Sequence, residues 1–296
     1  MSEMAIDSII LGDNQFFGVN HMSQDKGKET YERFKDVSEI RKTLYYALDN
    51  GVKGVMFSTH PAIYQITDMM RADPVLKKEL GVYVNVPYIV KYVSMVTEMG
   101  VYKTVKTMLQ GQTFPQRVKY FMTSGYNVIA RDYLGITHRL IDVELIPFRG
   151  LAIKAIFLHN CLCDLILGYD MTMIIQSFDG YIRKRYDAIP AYGTLNYPLF
   201  CRLLERAGIE NALVMASVNK KGFLMNPSRE ACEEAMRKYD HTVLAMATLA
   251  SGSIKPQEAY EYIGALGTVK HVVVGLSSKG HAEETFKILR DELKLL

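Results

Sequence analysis

Short apolar runs rich in β-branched residues recur along the chain, and each is followed by a stretch of helical periodicity. The runs are Ser8–Gly12, Val52–Ser58, Val82–Val86, Ile153–His159, Ala188–Tyr192, Ala212–Ser217, Val243–Thr248 and His271–Leu276. Runs this continuously apolar are buried on both faces, which implies a parallel sheet covered by helices. Eight strand–helix units in one chain predict an α/β fold, a single closed (β/α)8 TIM barrel, with an open doubly wound sheet as the competing architecture.

The intervening helices are clearest in the second half. Leu199, Leu203, Leu204 and Ala207 recur at helical spacing after Pro198, and Gly208 stops the pattern. Ser228 is placed to cap a helix through Glu230, Cys232, Ala235 and Met236. Another begins around Ser253–Pro256 and ends near Gly267, and the last runs from about His281 to Leu293. Between the third and fourth strands, residues 90–150 hold far more chain than one crossover helix needs. They carry a helical pattern near 89–100, the segment Gln110–Pro115, and more helical pattern over 115–144. This reads as an elaborated insertion between strands 3 and 4. No Ser/Gly-rich linker divides the chain, so residues 1–296 are expected to form one barrel domain.

Composition narrows the function. The 296 residues are 49% hydrophobic and 23% charged, which excludes long disorder. With 35 basic and 32 acidic residues the net charge is +3, too balanced to argue for nucleic acid or an anionic membrane. Arg183, Lys184 and Arg185 read as a solvated helix face. Four cysteines in a chain of this length do not make a disulfide scaffold. No signal-peptide pattern opens the sequence and no run approaches the ~18 apolar residues of a spanning helix. The expectation is a cytoplasmic protein with reduced thiols, acting on a small molecule.

In such barrels the chemistry sits at the C-terminal ends of the strands. The polar residues there are Asp13, Asn14 and Gln15; Ser58, Thr59 and His60; Asn85; His159 and Asn160; Tyr192, Thr194 and Asn196; Ser217 and Asn219; Thr248 and Ser251; and Ser277 and Ser278. Amides and hydroxyls dominate and carboxylates are few. That disfavours a paired-carboxylate glycosidase and a multi-carboxylate magnesium site. After the eighth strand, Ser277, Ser278, Lys279 and Gly280 lead into a helix. Its free N–H groups, two hydroxyls and one ammonium suit an anion such as a phosphate.

Several of these strand ends resemble the aldo-keto reductases, in order and in local pattern. Phe157-Leu-His159-Asn160 resembles the Leu-x-His strand end that carries that family's catalytic histidine. Ile189–Asn196 resembles its fifth strand, Ser217-Val-Asn219 its sixth, and Ala245–Gly252 its seventh. Val274-Gly-Leu-Ser-Ser-Lys-Gly-His281-Ala-Glu-Glu284 is similar to the eighth-strand Gly-x-Ser-Ser-x-x-His-x-x-Glu-Asn. Leu11-Gly12, Ala47–Gly51, Phe57–Thr59 and Tyr64 match more loosely. The resemblance covers most of the chain outside 90–150. It implies a barrel that binds NADP(H) or NAD(H) across its top and reduces carbonyls. Asn196, Asn219, Ser277, Ser278, Lys279 and His281 would hold the cofactor, and Ser58, His60, Asn85 and Asn160 would line the substrate site.

The family's catalytic tetrad is Asp, Tyr, Lys and His. His159 matches. Tyr64 is the candidate tyrosine, although the family spacing falls one residue earlier, at Ile63. Ser58 stands at the aspartate position, and the lysine position falls near Val86 or Pro87, with Lys91 further along. The tetrad is therefore degenerate. Without the Asp–Lys charge pair a tyrosine keeps a pKa nearer ~10. Two other classes remain open: a binding barrel for a nucleotide or phosphorylated ligand without turnover, and a metal-dependent hydrolase or isomerase built on His159, Cys161, Cys163 and Asp164 with His21 and His60. The H-x-C-x-C spacing is not one of the established metal-ligand patterns, and no metal is expected.

Overall fold

Alternation along each strand decides what the barrel contains. In the computed structural model, which describes residues 6–18, 24–88, 133–276 and 279–293, eight parallel strands close in chain order. They are β1 (Ile9–Leu11), β2 (Gly54–Ser58), β3 (Gly81–Val86), β4 (Ile153–Leu158), β5 (Ile189–Thr194), β6 (Leu213–Ser217), β7 (Thr242–Met246) and β8 (His271–Val274). Each falls on one of the eight apolar runs. The ends differ by at most two residues, as at β5, which continues to Thr194, and at β7, which stops at Met246. β1 closes the ring by pairing with both β2 and β8.

One parity of side chain fills the barrel: Ile10, Met56, Tyr83, Ala155, Phe157, Ala191, Leu213, Met215 and Leu244 form a closed cluster. The other parity, such as Val55, Phe57, Val84, Ile156, Leu158 and Val214, packs outward against the helices in the main core. Both faces are buried, so the strand sequences show no apolar–polar alternation.

The helices are α1 (Gln24–Phe34), α2 (Val37–Asp49), α3 (Ile63–Ala72), α4 (Pro74–Glu79), α5 (Tyr133–Glu144), α6 (Asn160–Gly168), α7 (Thr172–Tyr186), α8 (Tyr197–Arg206), α9 (Arg229–Lys238), α10 (Pro256–Leu266) and α11 (Lys279–Leu293). Their ends follow local chemistry. Asn196 accepts from the Leu199 amide at the start of α8, and Ser228 from the Ala231 amide at the start of α9. Pro256 opens α10, and Gly267 closes it with a left-handed φ of 68°. α11 begins at Lys279 rather than near His281. From the excursion between β3 and β4 the structure describes α5 and a short 3-10 turn, Ile146–Phe148. The helix expected near 89–100 lies outside the described residues.

The N-terminal end of the barrel is sealed by a polar network. Tyr83 fills the barrel axis, and its hydroxyl donates to Asp7 Oδ2 at 2.8 Å while accepting from the Asp7 amide at 2.8 Å. Lys154 Nζ donates to both Asp7 carboxylate oxygens at 2.8 and 2.7 Å. His271 Nδ1 lies 3.1 Å from the Asp7 carbonyl oxygen. The Lys154 stem crosses Gly81 so closely that a Cβ there would run into it, so glycine is required where the lysine bends inward.

Candidate active site

At the opposite end the last inward positions are small or polar. Ser58 of β2 pairs with Asn85 of β3, and Asn85 with Phe157 of β4. Ala155 and Phe157 lie in the barrel interior, as the expected orientation of His159 requires, and His159 is the next inward position. Across the mouth, Gly193 of β5 pairs with Met215 of β6, and Ser217 is the last residue of β6. Gly193 has its own reason: a Cβ there would press on the Asn160 backbone nitrogen at 3.1 Å, where α6 starts against β5.

His159 is half-buried at the N-cap of α6, where its Nδ1 accepts the Cys161 amide at 3.2 Å. That bond puts the ring proton of the neutral imidazole on Nε2. Burial holds its pKa below the ordinary imidazole value, so the neutral form is the working form at pH 7.

Two buried polar atoms at the mouth have no hydrogen-bond partner among the described residues: Asn85 Oδ1 and Ser217 Oγ. Ser217 is 2% exposed. Buried polar groups are almost always paired, and an orphan costs roughly 1–3 kcal/mol. Two of them at one barrel mouth mark a place where a ligand would supply donors.

A carboxyl group lies against Ser58, from just beyond the neighbouring strand. Asp13, just beyond β1 and 7% exposed, receives the Ser58 amide at 2.6 Å and the Ser58 hydroxyl at 2.7 Å, both on Oδ2. Desolvation raises its pKa against the lowering effect of the two Ser58 bonds. Beside it an aromatic wall forms. The Phe17 ring stacks on His60 at 4.2 Å, and Tyr88 lies 5.3 Å beyond His60. His60 Nδ1 accepts from the Ala62 amide. Thr59 ties the wall down, accepting from the Tyr88 amide at 3.1 Å and donating to the buried Glu144 carboxylate of α5.

The other expected residues divide. Asn160 begins α6 beside His159. Tyr64 sits in the first turn of α3, 41% exposed, its pKa raised by partial burial and by Glu144. Asn219 is fully buried, and its side chain is spent on a turn: Oδ1 accepts from the Phe223 amide and Nδ2 donates to the Phe223 carbonyl, each at 2.8 Å. Asn196 Oδ1 serves as the α8 cap. Ser277 and Ser278 lie outside the described residues, and Lys279 and His281 fall in the first turn of α11. Near that junction a cavity of about 480 Å³ is lined by Arg33, Arg41, Lys42 and Tyr45 and reaches Leu276. The set proposed for a metal fans apart: Cys161 is exposed, Cys163 is buried with its thiol on the Leu158 carbonyl, and Asp164 accepts from Thr194 on the outer side of β5. Among the described residues, no three His, Cys, Asp or Glu side chains converge in a group that could hold a metal ion.

Neither a protein-family model nor a curated protein matches the sequence. Solved structures do. A protein described as an aldo-keto reductase from Pseudomonas aeruginosa is 12% identical with a TM-score of 0.61, over 98% of this chain and 92% of its own. A Bombyx mori aldo-keto reductase in complex with NADP is 13% identical, TM-score 0.52, over 96% and 84%. A Bacillus halodurans aldo-keto reductase in its holo form is 10% identical, TM-score 0.56, over 88% and 86%. The fold is that of the aldo-keto reductases.

On this aldo-keto reductase barrel two residues at the mouth stand out that the strand-end patterns left without a role. Asp13 is one of the polar residues after the first strand. The signal for it was the serine at 58, which leaves a carboxylate to be provided by an adjacent strand. Tyr88 follows β3 directly, next to the lysine position of the resemblance, and no motif pointed to it.

Proposed function

We propose that the barrel mouth binds a nicotinamide cofactor, NADP(H) or NAD(H), and interconverts a small carbonyl compound and its alcohol. The observation that carries this reading is the pair of orphaned acceptors, Asn85 Oδ1 and Ser217 Oγ, at the mouth of an aldo-keto reductase fold. The donor groups of a carboxamide fit them. The adenosine phosphate is proposed for Ser277, Ser278, Lys279 and His281; the cavity alongside is of mixed charge, with Arg33, Arg41 and Lys42 together with Glu39 and Asp49. Asn196 and Asn219 shape the rim from their cap and turn. One neighbour of this fold carries NADP.

The cofactor, when bound, supplies the two-electron reducing equivalent. The chain's own groups polarise and orient the substrate. His159 offers its Nε2–H to the substrate oxygen, and its lowered pKa keeps that nitrogen a neutral donor through pH 7. The Phe17–His60–Tyr88 wall gives the substrate a planar apolar surface and excludes water on the β1–β3 side. Ser58 and Asn160 complete the polar edge.

Fluorescence titration with NADPH and NADH, followed by turnover of an aldehyde and ketone panel, tests the reading. We expect micromolar binding of one dinucleotide, and a His159→Gln variant that binds it normally while losing about 100-fold or more in kcat. Absence of binding by either dinucleotide at millimolar concentration would overturn the proposal.

A further inference from the structure

Both hydrogen bonds to Asp13 land on the same oxygen. The Ser58 amide and hydroxyl donate to Oδ2, and among the described residues no other residue's donor reaches Oδ1. Among the described residues no Lys, Arg or His nitrogen pairs with the carboxyl either, although it is almost completely buried. A buried carboxyl without a cation holds its proton more tightly than an exposed one. With Oδ2 occupied as a double acceptor, that proton belongs on Oδ1. Ser58, which anchors the group, is the inward residue at the mouth, level with the orphaned Asn85.

We propose that Asp13, delivered from β1, is the catalytic acid of this barrel and protonates the substrate oxygen from Oδ1. This rests on the carbonyl-reducing reading above. In the reducing direction a bound nicotinamide would supply a hydride, so that a C–H bond forms at the carbonyl carbon as one breaks on the cofactor, and the C=O π pair moves onto oxygen. The oxygen takes the Asp13 proton, and the O–H bond formed replaces the one broken on Oδ1. Asp13 is left as a carboxylate held by its two Ser58 bonds and is reprotonated from solvent. In alcohol oxidation the same carboxylate takes the proton back. The tyrosines are poorer donors. Tyr64 stands on the outer first turn of α3 beside Glu144, and Tyr88 is pushed up by burial and by Asp13 itself. Among the described residues, the ionisable groups at the strand ends around Asp13 include His60 beyond β2 and Tyr88 beyond β3, with His159 beyond β4. A carboxylic acid donor predicts activity that falls on the alkaline side, as Asp13 ionises.

Carbon-13 NMR of protein labelled at aspartate Cγ, with Asp13→Asn used to assign the resonance, reads the protonation state without substrate or cofactor. The expected result is a signal still protonated at a pH where the exposed aspartates have ionised. Titration in the ordinary range near ~3.9 would overturn the proposal. Turnover supplies the second arm. Asp13→Asn should keep dinucleotide affinity and lose about 100-fold in kcat, with Asp13→Glu partly restoring the rate and moving the alkaline limb. Wild-type kcat in Asp13→Asn, with the wild-type protein active, sinks the acid and leaves the reductase reading standing. A wild-type protein that binds no dinucleotide and turns over no carbonyl sinks both.

Discussion

The two ends of the barrel use the same residue types for opposite ends. At the N-terminal end an aspartate, a tyrosine, a lysine and a histidine interlock, and the Asp7 carboxylate has three donor contacts. At the C-terminal end an aspartate, a histidine and a tyrosine stand beside an amide and a hydroxyl with unpaired atoms. Satisfaction buries cost at one end and leaves it exposed at the other. A closed network makes a plug, whereas unpaired groups held in place make a site, and the composition of a cluster alone does not tell which it is.

Breaking the plug should have the largest effect on stability. Asp7→Ala strips Lys154 of its partner and leaves the buried Tyr83 hydroxyl without its acceptor. A loss of about 3 kcal/mol in urea unfolding is expected, with dinucleotide affinity unchanged. A loss under about 0.5 kcal/mol would mean that the lower network is ornamental. At the mouth the sign should reverse. Ser217→Ala removes an orphaned hydroxyl and should leave the free protein as stable or up to about 1 kcal/mol more stable, while weakening dinucleotide binding several-fold. A destabilised variant with intact binding would show that Ser217 belongs to the scaffold.

The smallest effect sharpens the contrast by pH. The pKa of His159 is lowered by burial, and so are those of His241 and His271. Their contribution is complete above the unfolded imidazole value and is lost as pH falls through and below it. Asp13 is raised, so its contribution is complete below the unfolded carboxyl value and is lost as pH rises through its folded one. Thermal unfolding should therefore show Asp13→Asn gaining on the wild type as pH rises from about 4 to 7, and the wild type losing Tm below about pH 6. A constant difference between the two proteins across that range would contradict a raised Asp13.

Burial on both faces made the strands legible, because it leaves uninterrupted apolar runs such as Val82–Val86 that no solvent-facing element tolerates. The cap Ser228 and the stop at Gly267 were legible from local backbone chemistry. The strand-end motif drew attention to His159, and parity correctly placed Ala155 and Phe157 in the barrel interior. Asp13 was visible only as a polar residue, since its partner Ser58 is distant in sequence and near only once β1 and β2 pair. The bonds of Asn219 were not legible either: its amide closes a turn with Phe223, four residues later. The Asp7–Lys154–Tyr83 plug joins the ends of the described β1–β4 region and has no local signature at all.

β1 is only three residues long, and it pairs with β2 through Ile10 and Leu11 alone, whereas β2 and β3 pair over Gly54–Ser58 and Gly81–Asn85. In the language of amide exchange, the seam next to Asp13 is, with the equally short β7–β8 seam, among those of the barrel with least to lose by opening. Its N–H groups should trade with solvent through local fluctuations well before those of β3 or β4 do. A ligand that bridges from Ser58 to the β8 end would close that seam, and the protection it confers on Ile10 and Leu11 would register its arrival from the far side of the sheet.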